Sequence, residues 1–471
     1  MYFHLLILVF AFIFSSCGSS SEDKTIASSS CEGEELQRTR YQSPTAQSLE
    51  QCVQETQART CSDNTLSEWS GSFKYLSCIA HPSSQGSLAR WQMSQIEYAG
   101  GFRIQDGKVG SGTYSDFKYS PGVFTIDEDA GSIFTVTHEY EQGFTEIGLP
   151  ELTLSEDPAD FVQSNTLIQS SVPVYQTDRD VTGIDANFRV TGMYLLNNQL
   201  IVNYFNWYDG AGSERDTTMI FKDASDLNNS ELIGPFQMGG ATHAAGWITP
   251  IPLYWQESLG GTHISGMSQG SINGRLSLGP SAFIWTPEDE LTSATQGSAI
   301  ETIKALDYPL GHMLYDTEIF DANETDSYNK TFNNHLWTVT STTGYGLIIP
   351  GTSTYMVIGH SSGHYSSIGY KITQDNGHLC GGPCSYEADD QYNFYWLYDV
   401  NDLISVVNGE MEAWDVRPYD YGEFDTIGNT HRIAAAHYNE DEDILYISLA
   451  GGDPLTTYGQ PALFVAYHLN P

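Results

Sequence analysis

Residues 345–370 read YGLIIPGTSTYMVIGHSSGHYSSIGY. An apolar strand ends at the Pro350-Gly351 turn, a second runs over 354–359, and a polar tip carrying His360 and His364 follows. A third short strand leads into Tyr370-Lys371-Ile372. Strand, tight turn, strand and polar tip recur in 120–140 (SPGVFTIDEDAGSIFTVTHEY), 190–208 (VTGMYLLNNQLIVNYFNWY) and 433–452 (IAAAHYNEDEDILYISLAGG). Apolar runs of this length between Asp, Asn and Gly turns are the signature of an all-β array.

The segment 100–150 continues the pattern at roughly ten-residue spacing and reads as one four-stranded meander, the size of a propeller blade. A second unit runs from Phe188 to Leu227, where Asn197-Asn198 supplies the positive-φ pair of a tight hairpin. Trp396 lies in an aromatic strand that gives way to a short helix, with Asp399 or Asn401 as its N-cap. The expectation is an all-β β-propeller of seven blades over residues 71–471, its edges protected by ring closure through the C-terminal strand. A pair of β-sandwiches is the structural alternative. The stretches GGFRI (100–104), SLGPSAFIWTPEDEL (277–291) and FYWLYDVNDLISVVNGEMEAWDVRPY (394–419), with the 120–140 hairpin, resemble a group of secreted bacterial β-propellers that mostly lack an assigned function.

The 471 residues carry 19 Lys+Arg against 59 Asp+Glu, a formal charge of -40, so a nucleic-acid backbone is repelled. Residues 5–14 (LLILVFAFIF) are too few to span a bilayer and read as the core of a signal peptide over 1–16. Cys17 after Ser15-Ser16 resembles the lipidated cysteine of a bacterial lipoprotein, although the n-region lacks Lys or Arg and Phe14 replaces a small aliphatic residue. The expected location is the outer membrane or cell surface, with periplasmic or released forms as alternatives, and with membrane association only through the lipid. Residues 17–70 read as a lipidated tether and a small cysteine-containing region, with a helix over 46–59. Cys31, Cys52, Cys61, Cys78, Cys380 and Cys384 are then free to pair in an oxidising compartment, locally within the first four and across the CGGPC loop. The short N-terminal extension is thus expected to contain disulfides.

Where strands give way to loops, His138, His243, His263, His360, His364, His431 and Arg432 form the strongest constellation. An exported propeller with such residues resembles, remotely, the short polysaccharide lyases that act on uronic-acid glycans. β-Elimination requires a base, a proton donor and a group neutralising the carboxylate. His360 or His364 as base, Tyr365 or Tyr204 as acid and Arg432 or Arg275 as neutraliser meet that requirement, with His138 a further catalytic candidate. Trp207, Tyr208, Trp247, Tyr345 and Trp396, with His243, His263 and His431, are candidate ligand-binding residues, their rings suited to stacking on sugars. His360 and His364 lie four apart but off a helix, which weakens a zinc reading. No cofactor is expected; calcium as a structural ion has candidate loops at 321–326 and 439–443. The functional expectation is a surface β-propeller that binds a glycan or protein ligand, with a polysaccharide lyase and a structural or adhesive envelope protein as alternatives.

Overall fold

The structure is a computed structural model that describes residues 35–42, 45–46, 53–62, 65–67, 69–74, 79–80, 88–184, 187–210, 212–268, 277–292, 294–315, 326–427 and 431–471. The chain divides into two compact units, Met1–His81 and Pro82–Pro471. In the first, Glu35–Tyr41, Gln54–Ser62 and Thr65–Leu66 form an antiparallel sheet. The part of the expected helix that is described is therefore strand, because cross-strand pairing with 35–41 satisfies its backbone. The Trp69 ring is held between the Arg38 and Arg59 guanidinium groups at 4.3 and 4.5 Å.

The second unit is a five-bladed β-propeller. Its twenty blade strands are β1 (Glu97–Ile104), β2 (Phe124–Asp127), β3 (Ser132–Val136), β4 (Phe144–Gly148) and β5 (Leu167–Val172). β6 (Phe188–Leu196), β7 (Gln199–Asn206), β8 (Thr218–Phe221) and β9 (Leu232–Met238) follow, then β10 (Ile248–Pro250), β11 (His263–Ser265), β12 (Ala282–Trp285) and β13 (Ile303–Leu306). The last are β14 (Thr342–Ile348), β15 (Thr354–Ser362), β16 (Gln391–Asp399), β17 (Asp420–Glu423), β18 (Ile433–Asn439), β19 (Ile444–Leu449) and β20 (Leu463–His468). Four blades are the consecutive meanders β2–β5, β6–β9, β10–β13 and β14–β17; the fifth joins β18–β20 to β1. The inner strands β2, β6, β10, β14 and β18 each pack on the next, and β18 returns to β2.

Seven blades and an N-terminal disulfide extension are thus corrected to five blades and an internal disulfide, Cys380–Cys384. Long connections consume the chain that further blades would need: 307–341 joins β13 to β14, and 363–390 joins β15 to β16. Within the latter, Ile368–Tyr370 pairs with Pro383–Ser385 as a small separate hairpin rather than a blade strand. Residues 100–150 likewise belong to two blades: β1 pairs with β20, and the outer strand of the β2 blade is β5. Cys31, Cys52 and Cys78 lie outside the described residues, and of Cys61 only the backbone is described. The calls on the signal segment and on Cys17 also fall outside them. Among the described residues no helix is long and apolar enough to cross a membrane.

Local chemistry explains the hairpins. Asn197 and Asn198 take φ of 50° and 61°, the left-handed pair that a two-residue turn between β6 and β7 demands. The helix Val400–Val407 starts where the Asp399 carboxylate accepts from the Asn401 N–H at 3.0 Å. At the ring centre, a Cβ on Gly192 would lie 2.0 Å from the Gly246 carbonyl oxygen, so β6 can approach the start of β10 only as glycine.

Antiparallel pairing gives the ring two faces. The upper face is where the inner strands begin. It collects the loops that join second to third strands and those that join each outer strand to the next inner one.

Candidate functional site

The ends of β14, β15 and β16 and the 363–390 excursion enclose a cleft of about 710 Å³ on the upper face. Thr340, Thr342, His360, Gln391, Gln374 and His378 supply polar groups to its wall, and the Cys380–Cys384 loop forms its outer side. Thr342 faces His360 in the β14–β15 register, and its hydroxyl has no partner among the described residues. His360 is partly buried; burial, aided by the Arg432 charge, lowers its pKa to about 4, so the imidazole is neutral at pH 7.

Arg432 stands just before β18, in the neighbouring blade. Burial alone lowers its pKa, and among the described residues no carboxylate or other acceptor meets its guanidinium. The other described arginines of the propeller behave differently. Arg103 pairs with buried Asp453 at 2.9 Å and Arg90 with Asp399 at 2.7 Å. Arg179 donates to three backbone carbonyls and Arg189 to the Phe188 carbonyl. In a chain of charge -40, a half-buried cation without an anion among the described residues stands out.

His364, unlike His360, does not line the cleft. It is buried, its Nε2 2.8 Å from Ser361 Oγ and its Nδ1 3.0 Å from the Asn334 carbonyl, with its ring stacked on Tyr392 and Phe394. The two histidines therefore do not converge. Among the described residues no group of three or more His, Cys, Asp or Glu side chains is arranged to hold a metal. In the loops considered for calcium, Asp326 accepts from the Lys330 N–H and Asp443 from the Tyr438 hydroxyl and the Asn470 N–H. Residues 321–325 lie outside the described residues.

Tyr365 is exposed, and its hydroxyl donates to Glu423 on the outer strand β17 at 2.8 Å, a bond that raises its pKa. Tyr204 is buried and its pKa is pushed far up by desolvation. Neither lines the cleft. Arg275 lies outside the described residues. His431 is half-buried, and its carbonyl accepts from Asn393.

His243 lines a second upper-face cleft, of about 550 Å³, with Arg215 and Gln237. Its Nδ1 is 2.6 Å from buried Asp307, which also takes Lys304 at 2.9 Å. The carboxylate orients the ring. Asp307 has no sequence signal of its own, standing 64 residues away.

The aromatic candidates separate by environment. Trp207 and Tyr208 are exposed on the β7–β8 loop of the upper face, rings 6.1 Å apart. Trp247, Tyr345 and Trp396 are buried: Trp247 lies where a Cβ on Gly266 or Gly346 would strike it, and Trp396 donates to the Leu336 carbonyl at 2.8 Å. His263, at the lower end of β11, is buried between Thr262 Oγ1 and the Tyr194 hydroxyl. His138 is buried beneath exposed tyrosines, and desolvation lowers its pKa against the pull of Asp116, Glu139 and Glu141.

No protein-family profile matches the chain, and no curated protein does. Among solved structures it is similar to a glycosyl hydrolase from Bacteroides ovatus, with 9% identity and a TM-score of 0.33 over 82% of this chain and 92% of that one. It is also similar to the PQQ-bound aldose sugar dehydrogenase from Streptomyces coelicolor, with 9% identity and a TM-score of 0.34 over 79% of this chain and 97% of that one. A luciferin-regenerating enzyme gives 8% identity and a TM-score of 0.28, with 81% and 95% covered. Likeness at this level assigns the chain no residue, ligand or reaction.

Proposed function

We propose that the cleft at His360, with Arg432 of the neighbouring blade near His360 but outside the cleft lining, binds an acidic sugar residue of a polysaccharide, and that the protein is an exported, lipid-anchored glycan-binding β-propeller. The observation that carries this reading is the Arg432 guanidinium, half-buried, close enough to His360 to lower its pKa, and unmatched by any anion among the described residues. A carboxylate supplies the missing charge, and a guanidinium takes it through two parallel hydrogen bonds. Hydroxyl and amide groups from Thr340, Gln374 and Gln391 suit the neighbouring sugar hydroxyls. Binding is favoured over β-elimination because an imidazole with a pKa of about 4 is a weak base, and Tyr365 is engaged by Glu423.

Calorimetric titration with oligogalacturonate and oligoalginate, against neutral oligosaccharides, tests the reading. Arg432→Met is expected to weaken acidic-sugar binding roughly 10- to 100-fold, the worth of a charge-assisted hydrogen bond. Absorbance near 235 nm, followed in parallel, is expected to stay flat. Equal affinity of wild type and variant, or no acidic ligand bound by wild type, overturns the proposal.

A further inference from the structure

On the upper face, Tyr114, Tyr119 and Tyr140 meet around His138, and Tyr458, distant in sequence, packs on Tyr119. Tyr114 and Tyr140 pack edge-to-face at 5.2 Å, and Tyr119 meets Tyr458 at 5.8 Å in the same way. The His138 ring lies 4.8, 4.9 and 5.5 Å from Tyr114, Tyr140 and Tyr119. All four tyrosines are exposed, Tyr140 at 63% and Tyr458 at 76%, while His138 beneath them is 6% exposed. Every exposed aromatic side chain of the propeller, among the described residues, stands on the loops of this face.

The platform is built rather than loose. The loop before β2 and the loop between β3 and β4 are laced by His138 N–H to the Asp116 carbonyl at 2.7 Å and Glu139 N–H to the Tyr119 carbonyl at 3.3 Å. Glu141 accepts from the Tyr114 N–H and the Ser115 hydroxyl, each at 3.0 Å. Tyr119 is held at φ 54°, a left-handed conformation that a tyrosine adopts only under constraint. Rings fixed in this way lose little freedom on binding.

We infer that Tyr114, Tyr119, Tyr140 and Tyr458 form a stacking platform for neutral pyranose rings of a polysaccharide. A tyrosine offers an apolar face to the C–H side of a sugar and a hydroxyl to its rim. Asp116, Glu139 and Glu141 surround the platform against two lysines, Lys108, taken by Asp116 at 2.9 Å, and Lys118 beside Gly459, so the balance of charge is negative and anionic residues are disfavoured there. Tyr458 belongs to the blade that also carries Arg432, so one chain can rest neutral residues on the tyrosines and extend toward the cleft. The inference rests on the glycan-binding reading and makes the ligand a heteropolysaccharide of neutral and acidic residues.

The test uses the full chain with three ligands: galacturonic acid, a panel of neutral hexasaccharides, and a mixed polysaccharide with both residue types. Tyr140→Ala with Tyr458→Ala is expected to weaken neutral hexasaccharide binding about tenfold or more. It leaves galacturonic acid binding unchanged, whereas Arg432→Met does the reverse. Tyr140→Phe with Tyr458→Phe, keeping the rings, is expected to retain most of the affinity. If the double alanine variant melts like wild type yet binds every neutral hexasaccharide equally well, or if wild type binds none, the platform is refuted. Failure of the acidic arm alone refutes only the Arg432 cleft.

Discussion

Trp396→Ala is expected to lower the unfolding free energy by roughly 3–5 kcal/mol, the usual result of emptying a large buried aromatic site. Trp396 is 0% exposed in β16, packed on Trp337 at 5.3 Å and Phe394 at 5.0 Å. Its indole N–H is also spent on the Leu336 carbonyl, so truncation leaves that buried oxygen unsatisfied. The 326–341 segment cannot collapse freely into the gap, since Asn334 ties it by donating to the Trp337 carbonyl and accepting from the Leu336 N–H. Denaturant midpoints of wild type and variant read the loss; a change below about 1 kcal/mol would show that Trp396 is not a core residue. Trp207→Ala, on the exposed β7–β8 loop, is expected to leave the midpoint nearly unchanged.

Acidification is expected to act through His263. Burial lowers its pKa to about 4, and both ring nitrogens sit within hydrogen-bond distance of Thr262 and Tyr194. The unfolded histidine has a pKa near 6.5, so between pH 6.5 and 4 the unfolded chain binds the extra proton. Stability from this group is complete above about pH 7 and is lost as pH falls through that window. The full difference is roughly 3 kcal/mol. His360 adds a loss of the same sign, while protonation of surface carboxylates relieves repulsion and opposes both. Comparison with His263→Gln isolates the term. The variant starts less stable at pH 7, and its unfolding free energy should fall less steeply than that of wild type between pH 6.5 and 4. Parallel curves would refute the assignment of a buried neutral imidazole.

The hairpins were legible because each rests on a local rule. Asn197-Asn198 marks a left-handed turn wherever it stands between apolar runs, and the 345–370 segment contains β14 in part and β15 entire. Ring closure by a C-terminal strand follows from the need to cover sheet edges, and β20 does pair with β1. Blade number was not legible, because the short run into Tyr370 looks like a blade strand until its pairing with Pro383–Ser385 is known. Burial was not legible either. A blade is covered on both faces by its neighbours, so β16 buries eight consecutive residues, Tyr392 to Asp399, without the alternation that separates inside from outside. Trp396 and Trp207 are therefore indistinguishable by pattern. Of the candidate site, His360 and Arg432 were named from their positions at strand ends. The hydroxyl and amide lining and the four-tyrosine platform depend on loops from different blades and have no local signature.

The fifth blade has a consequence for synthesis. Its outer strand is made near the start of the propeller and its other three strands last, and Arg103 and Asp453 are joined across 350 residues. During translation the facing edges of β1 and β19 have no partner until the stretch Leu463–His468 is complete. Contacts of such sequence separation form slowly, and unpaired edges invite pairing with other chains. The stretch from β18 to β20 thus acts as a timer: a nascent propeller stays open, and competent for chaperone capture, until β20 has been made.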